Sequence, residues 1–158
     1  MKKEKEFEKI YNEFKKQAFY ISYSITEDYD ESMDVVQEVF LKIYENMENI
    51  KEIKAYIMTV SRNMSLNKVR GNRHLLDIED HEPVFNITPE RECENRETME
   101  QVRKAMSDLT AAEKNVFYMK FYSGFNYDEI SKELNIAEST ARVIFMNALK
   151  KVRGKCEV

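Results

Sequence analysis

The sequence predicts an all-α protein in which an acidic linker joins two small helical bundles, the second of which contains a helix-turn-helix. Three observations support this fold class. The chain has 158 residues but only three glycines and two prolines. Apolar residues recur at helical spacing through most of its length, and one polar stretch without any period interrupts them. The length is sufficient for two small domains.

Three apolar stripes predict three helices in the first domain, residues 1–71. The stripes are Phe7, Ile10, Tyr11, Phe14, Ala18 and Ile21, then Met33, Val36, Phe40, Ile43, Tyr44 and Met47, then Ile53, Ile57, Val60 and Met64. An amphipathic helix must bury its stripe against another element, so we expect one small bundle.

Residues 72–87 are polar and acidic and show no period, which predicts a flexible linker. The second domain, residues 88–158, is expected to hold four helices. Thr88-Pro89 has the pattern of a helix start, and the last helix should cover about 137–153. The two middle helices begin with capping boxes, formed by Thr110 with Glu113 and by Asn126 with Glu129.

Several function classes have no support in the sequence. It contains no Gly-rich phosphate loop, no HExxH and no paired nucleophile and base, so we predict no catalytic residue, metal, cofactor or small-molecule substrate. Apolar residues never continue for the ~20 positions that a membrane span needs, so no membrane insertion is expected. The charged start lacks a signal-peptide core, which favours the cytoplasm.

The net charge of −4 is distributed unevenly. Residues 27–41 and 77–100 are strongly acidic, whereas 53–76 and 139–156 contain basic residues and no acidic one. Any one block could be a solvated surface. Two acid-free basic segments on predicted helices are better explained by two contacts with a polyanion. We expect the free protein either to be compact, with its basic faces covered by the other domain or by the acidic linker, or to be held by a partner protein wedged between its domains. Opposite charge between the segments favours the compact form at low salt.

The clearest local motif is a helix-turn-helix. Residues 127–134 form its first helix, Asn135 stands where a left-handed turn residue belongs, and Ile136 fills the junction. A helical hairpin without a DNA role would have a similar pattern. In the DNA-binding interpretation, the first turns of the last helix meet base edges and Lys150 meets phosphate. The candidates for base contact are Glu138, Ser139, Thr140 and Arg142.

The third helix of the first domain has a different polar face. Tyr56, Asn63, Asn67 and Arg70 lie on one side of it, a combination suited to unstacked bases and phosphates. The alternative is a tyrosine packed at the bundle edge beside solvated amides. The acidic second helix is either an ordinary soluble amphipathic helix or a docking face for a basic partner helix.

Three segments together resemble the extracytoplasmic-function group of bacterial sigma factors. They are DVVQEVFLKIYENM, IKAYIMTVSRNMSLNKVR and LTAAEKNVFYMKFYSGFNYDEISKELNIAESTARVIFMNALKKVR, in the order and spacing of that family. The resemblance implies a protein without catalysis that binds core RNA polymerase and directs promoter recognition, DNA melting and transcription initiation. It also implies promoter DNA and an anti-sigma factor as partners.

The resemblance assigns roles to particular residues. Polymerase contacts would come from Asp34, Gln37, Glu38 and Phe40. Asn49 and Lys51 fall in the loop where the family captures a flipped promoter base. The unwound −10 strand would be held by Tyr56, Arg62, Asn63, Asn67 and Arg70, with Lys54 from the same basic segment. The −35 element would be contacted by Glu138, Ser139, Thr140, Arg142 and Lys150.

The chain departs from the family pattern in its recognition helix. Ala137 replaces the usual hydroxyl N-cap, and Ile144 and Asn147 stand where Arg is common. In the −10 helix, Asn67 stands where Asp is usual. The departures in the recognition helix favour one alternative, a sigma-fold interaction protein with degenerate DNA contacts. A second alternative is a sigma-like DNA-binding regulator that acts without polymerase, for which the acidic second helix would be incidental.

Overall fold

The computed structural model describes residues 2–71 and 96–156, and within those ranges the secondary structure is entirely helical. The α-helices are α1 (Lys2–Thr26), α2 (Tyr29–Asn46), α3 (Ile53–Gly71), α4 (Arg96–Ala105), α5 (Ala111–Phe117), α6 (Tyr127–Leu134) and α7 (Glu138–Cys156). A 3₁₀ turn, Met47–Asn49, follows α2. The predicted linker, 72–87, and the predicted helix start at Thr88-Pro89 lie outside the described residues.

Helices α1, α2 and α3 pack against one another, and the predicted all-α fold class is confirmed. Where α1 meets α2, the Phe40 ring lies edge-on to Tyr11 at 5.1 Å and to Phe7 at 6.3 Å. The Phe7 ring also lies edge-on to Tyr44 at 5.2 Å. Edge-to-face pairs at this distance add to the stabilisation that burial alone provides.

Side-chain caps begin the helices where the sequence indicates them. Both predicted capping boxes are present: Glu113 N–H donates to Thr110 Oγ1 at 3.2 Å, and Glu129 N–H donates to Asn126 Oδ1 at 2.7 Å. Each glutamate side chain accepts from the backbone N–H of its cap residue in return. Asp28 caps α2 by accepting from Glu31 N–H at 2.9 Å. These caps satisfy backbone donors that the first turn of a helix leaves unpaired.

The end of α5 differs from a plain α-helix. Residues Tyr118–Tyr122 form a π-helical turn, closed by the Ser123 N–H donating to Tyr118 O at 2.9 Å. The wider turn brings Tyr118 and Tyr122 against α1, with their rings 6.5 and 4.6 Å from that of Tyr20. Gly124, at φ 78°, then reverses the chain towards α6.

The two bundles share one continuous interior rather than keeping separate cores. Phe19 and Tyr23 of α1 pack in one buried cluster with Met99, Phe117 and Tyr118. A second cluster joins Ile21 and Met58 to side chains from 116–141. The Tyr23 O–H donates to Met99 O at 3.1 Å in this interface. The two bundles are therefore packed together by hydrophobic burial as well as by charge.

Candidate nucleic-acid interface

The predicted helix-turn-helix is formed by α6 and α7. Asn135 adopts the left-handed conformation, with φ 58° and ψ 50°, and ends α6. Asn tolerates this conformation better than other non-glycine residues. The Ile136 N–H donates to Ser131 O at 3.0 Å, and Ile136 packs on the second buried cluster. The turn therefore sets the direction in which α7 leaves α6.

Helix α7 buries one side and exposes the other. Ala141 and Ala148 are fully buried against the neighbouring helices. The predicted −35 residues are all exposed: Glu138, Ser139, Thr140, Arg142 and Lys150. The Arg142 guanidinium lies 4.6 Å from the Tyr127 ring centroid, a cation–π contact that places this side chain at the edge of the exposed surface.

Four predicted −10 residues share one face of α3. Asn63, Asn67 and Arg70 are exposed, and Tyr56 is half-buried at the bundle edge. The Arg70 Nη1–H donates to Asn67 Oδ1 at 3.3 Å. These residues lie on the side of the helix opposite Met58, which is buried, and the exposed ones offer hydrogen-bond donors and acceptors to solvent.

Lys54 and Arg62 do not belong to that face. Lys54 Nζ lies 3.3 Å from Glu129 Oε1, and Arg62 Nη1 lies 3.6 Å from Glu133 Oε2, so both cations are paired with α6. Thr59 Oγ1 also donates to Glu133 Oε1 at 2.8 Å. The predicted set of −10 residues is thus divided between an exposed face and the interface between the bundles, because positions 54, 58 and 62 follow the i, i+4 spacing of a different helix face.

The loop between α2 and α3 forms a groove of about 590 Å³. Asn49 and Lys51, both exposed, line it together with Tyr56. The structure thus brings the two predicted loop residues beside the first residue of the α3 face. An amide, an ammonium and an aromatic ring therefore line one open concavity, together with the carboxylate of Glu52.

The acidic side of α2 is accessible, with one exception among the predicted residues. Asp34 and Glu38 are exposed one turn apart, and Gln37 is half-buried. Phe40 is fully buried against Phe7 and Tyr11, so its assignment as a direct partner contact is corrected. Phe40 belongs to the apolar stripe of α2, and this stripe faces the interior of the bundle.

The carboxylates that join the bundles are not among the residues that the sequence predicts to be functional. Glu129 and Glu133 contact α3, and Glu27, which directly follows α1, is ion-paired with Lys114 of α5. The sequence predicts only the capping role of Glu129, and the structure shows that Glu129 has this role as well. Thr59 and Glu133 are 74 positions apart, and no local pattern relates residues at that separation.

Burial and charge shift pKa values of side chains at this junction. Burial of Tyr23, with the Glu100 charge nearby, raises the pKa of its hydroxyl to about 12. A hydrogen bond from Arg96 lowers the pKa of the Asp30 carboxyl, with the two groups 2.9 Å apart. The second contact ties the start of α4 to the start of α2.

The fold and this surface define an all-helical protein with the helix-turn-helix that DNA-binding proteins use. Sequence models of two family regions match the chain: "Sigma-70 region 2" over residues 10–75 and "Sigma-70, region 4" over 99–152. Neither describes a catalytic family. In the described part of the chain, no helix is long and apolar enough to cross a membrane.

Three curated relatives match most of the chain. The "ECF RNA polymerase sigma factor SigX" of Bacillus subtilis is 18% identical and covers 98% of this chain and 86% of its own length. SigM of the same organism is 21% identical over 93% of both chains. SigL of Mycobacterium tuberculosis is 25% identical, covering 91% of this chain and 85% of its own.

A solved structure has the same fold. It is the sigma factor RpoE in complex with the anti-sigma factor NepR from Bartonella quintana, with a TM-score of 0.67, 17% identity and 98% coverage of both chains. The chain belongs to the extracytoplasmic-function group of the sigma-70 family, and its function is to direct promoter recognition. Neither alternative to a sigma factor is favoured, because the models of regions 2 and 4 both match.

Proposed function

We propose that the chain binds core RNA polymerase through residues 1–71 and divides promoter contacts between its two bundles. In this proposal, residues 88–158 contact the −35 element, and the linker of residues 72–87 joins the two bundles. The observation that supports this most directly is that one chain presents two separate exposed surfaces on different helices. One is formed by Asn63, Asn67 and Arg70 on α3, and the other is the outer side of α7.

For α2, the proposed role is docking on the polymerase. Asp34 and Glu38 stand exposed beside a fully buried apolar stripe, so a basic partner helix can meet both carboxylates without disturbing the bundle. Oppositely charged surfaces accelerate association and select the partner. Gln37 adds an amide between them, at the edge of the same surface.

For α3 and the preceding loop, the proposed role is to hold unwound −10 DNA. Amides and aromatic rings suit single-stranded bases, whose edges and faces are free. Asn49 and Lys51 would hold one base in the groove beside Tyr56, while Asn63, Asn67 and Arg70 follow the strand. Lys54 and Arg62 would join them only after leaving Glu129 and Glu133.

The packed arrangement is proposed as the resting form of the free protein. It covers part of the −10 surface while leaving the outer side of α7 exposed, so the predicted masking falls on α3 rather than on the recognition helix. An anti-sigma factor, the kind of partner present in the structural relative, would hold such a form. We further propose that the protein acts in the cytoplasm and has no catalytic activity of its own.

Run-off transcription tests this proposal. Purified chain is added to core polymerase on a library of genomic fragments, and the proposal predicts discrete transcripts that core alone does not make. Bound complexes should protect two DNA segments from cleavage, one at each promoter element. Polymerase binding without any promoter-specific transcript would contradict it.

A further inference from the structure

The outermost residues of the recognition helix are apolar. Val143 and Met146 have 58% and 49% of their surfaces exposed, which is unusual for large hydrophobic side chains. Val143 lies two positions after buried Ala141, and Met146 lies two positions before buried Ala148, so both point directly away from the protein. Ser139 and Lys150 continue the same stripe at either end.

From this arrangement we infer that Val143 and Met146 recognise thymine methyl groups in the −35 element. The inference rests on the proposed contact of α7 with −35 DNA and names the chemistry of that contact. Neither side chain can donate a strong hydrogen bond or match a polar base edge. In the major groove, the C5 methyl of thymine is the one apolar feature that the four base pairs present.

Spacing supports contact with neighbouring base pairs. Residues three positions apart on a helix are separated by about 4.5 Å along its axis. Successive base pairs of B-DNA are separated by about 3.4 Å. Val143 and Met146 can therefore each meet one of two adjacent A·T pairs. Other base pairs offer no methyl group at these positions, so the two side chains would gain less apolar contact from them.

The surroundings favour DNA as the occupant over a protein. Arg142, Lys150 and Arg153 are exposed on α7, with Glu138 as the one carboxylate of the helix, so phosphates are attracted on both sides of the apolar pair. Two side chains are also far too small for the ~800 Å² that each partner buries in a stable protein interface. A thymine methyl, by contrast, is covered by one side chain.

The test uses the full-length chain bound to core polymerase. A duplex library randomised across the −35 element should yield two adjacent A·T pairs. Replacing the selected thymines with deoxyuridine removes only the methyl groups, and each replacement should weaken binding about fourfold. Val143→Ala and Met146→Ala should each weaken binding to the thymine duplex, and should also abolish the effect of one deoxyuridine replacement.

Phe121→Ala is the matched control, because Phe121 is 59% exposed but lies outside α7. This variant should bind the −35 duplex with the same dependence on the thymine methyl groups as the wild type. Sequence-selective −35 binding with no effect of deoxyuridine would overturn the methyl contact while leaving the proposed function standing. The absence of any −35 sequence preference would overturn both the methyl contact and the proposed function. If the alanine variants still respond to deoxyuridine replacement but no longer bind a protein partner, Val143 and Met146 form a protein-docking surface instead.

Discussion

The guanidinium of Arg62 in α3 lies 3.6 Å from the carboxylate of Glu133 in α6. This ion pair joins the helix proposed to hold −10 DNA to the first helix of the helix-turn-helix. Both side chains are largely covered, with 25% and 12% of their surfaces exposed, so water screens the pair less than it screens a surface pair. Polymerase and DNA must break this contact if Arg62 is to reach a phosphate.

Neutralising Glu133 should therefore release α3. Glu133→Gln retains an oxygen that can accept from Thr59 but removes the charge that holds Arg62. The full chain should then bind a single-stranded −10 oligonucleotide about fivefold more tightly, equivalent to ~1 kcal/mol. Fluorescence anisotropy at low salt measures this. Asp128→Asn is the control, since Asp128 pairs with Lys132 within α6, and it should change nothing.

Charge reversal on α2 should weaken polymerase binding. Asp34→Lys with Glu38→Lys replaces two exposed carboxylates without touching the buried stripe, so the fold should survive while affinity for core polymerase falls roughly tenfold. Surface plasmon resonance gives the affinity, and circular dichroism checks the fold. Glu13→Lys, an exposed change on α1, serves as control. Unchanged affinity of the double variant would remove α2 from the polymerase interface.

Alanine substitutions at Arg142 and at Lys150 should have different effects on −35 binding. Arg142 lies in the first turns of α7, where its guanidinium is exposed and lies over the Tyr127 ring. Arg142→Ala should change the preference among −35 sequences by about 1–3 kcal/mol if the contact to guanine is bidentate. Lys150→Ala should weaken all sequences alike and reduce the salt dependence. Equal loss across a −35 library for both variants would show that both contact only phosphate.

The interface between the bundles should weaken at alkaline pH. Burial raises the pKa of Tyr23 to about 12 from an ordinary value of 10.0. Because the pKa is higher in the folded state, the neutral Tyr23 hydroxyl contributes to the free energy of unfolding. This contribution is complete below pH 10 and is lost as pH rises through about 12. Near pH 11 the loss is about 1 kcal/mol. Urea unfolding at pH 8 and pH 11 measures it.

Tyr23→Phe tests the cause of that loss. The variant should be less stable at pH 8 by ~1 kcal/mol, because the hydrogen bond to Met99 O is gone. It should also lose less stability than the wild type between pH 8 and pH 11. An identical loss in both proteins would assign the alkaline sensitivity to other groups, such as Tyr118, whose pKa burial also raises.

The sequence by itself determined the local structure. A capping box needs only two suitable residues three positions apart, so it starts a helix independently of the rest of the fold. The boxes here are Thr110 with Glu113 and Asn126 with Glu129. Asn135 ends α6 for an equally local reason. Helical periodicity likewise placed Ala141 and Ala148 inside and left Val143 and Met146 outside. The exposed amides of α3 follow from the same spacing.

Only the tertiary structure decided which of these faces is free. Periodicity assigned Phe40 to an apolar stripe, but only packing against Phe7 and Tyr11 shows that no partner can reach it. Tertiary packing likewise set Lys54 and Arg62 against Glu129 and Glu133 and joined the two bundles through Tyr23 and Met99. These contacts join residues far apart in the chain, and their energies depend on burial and distance, which no local pattern encodes.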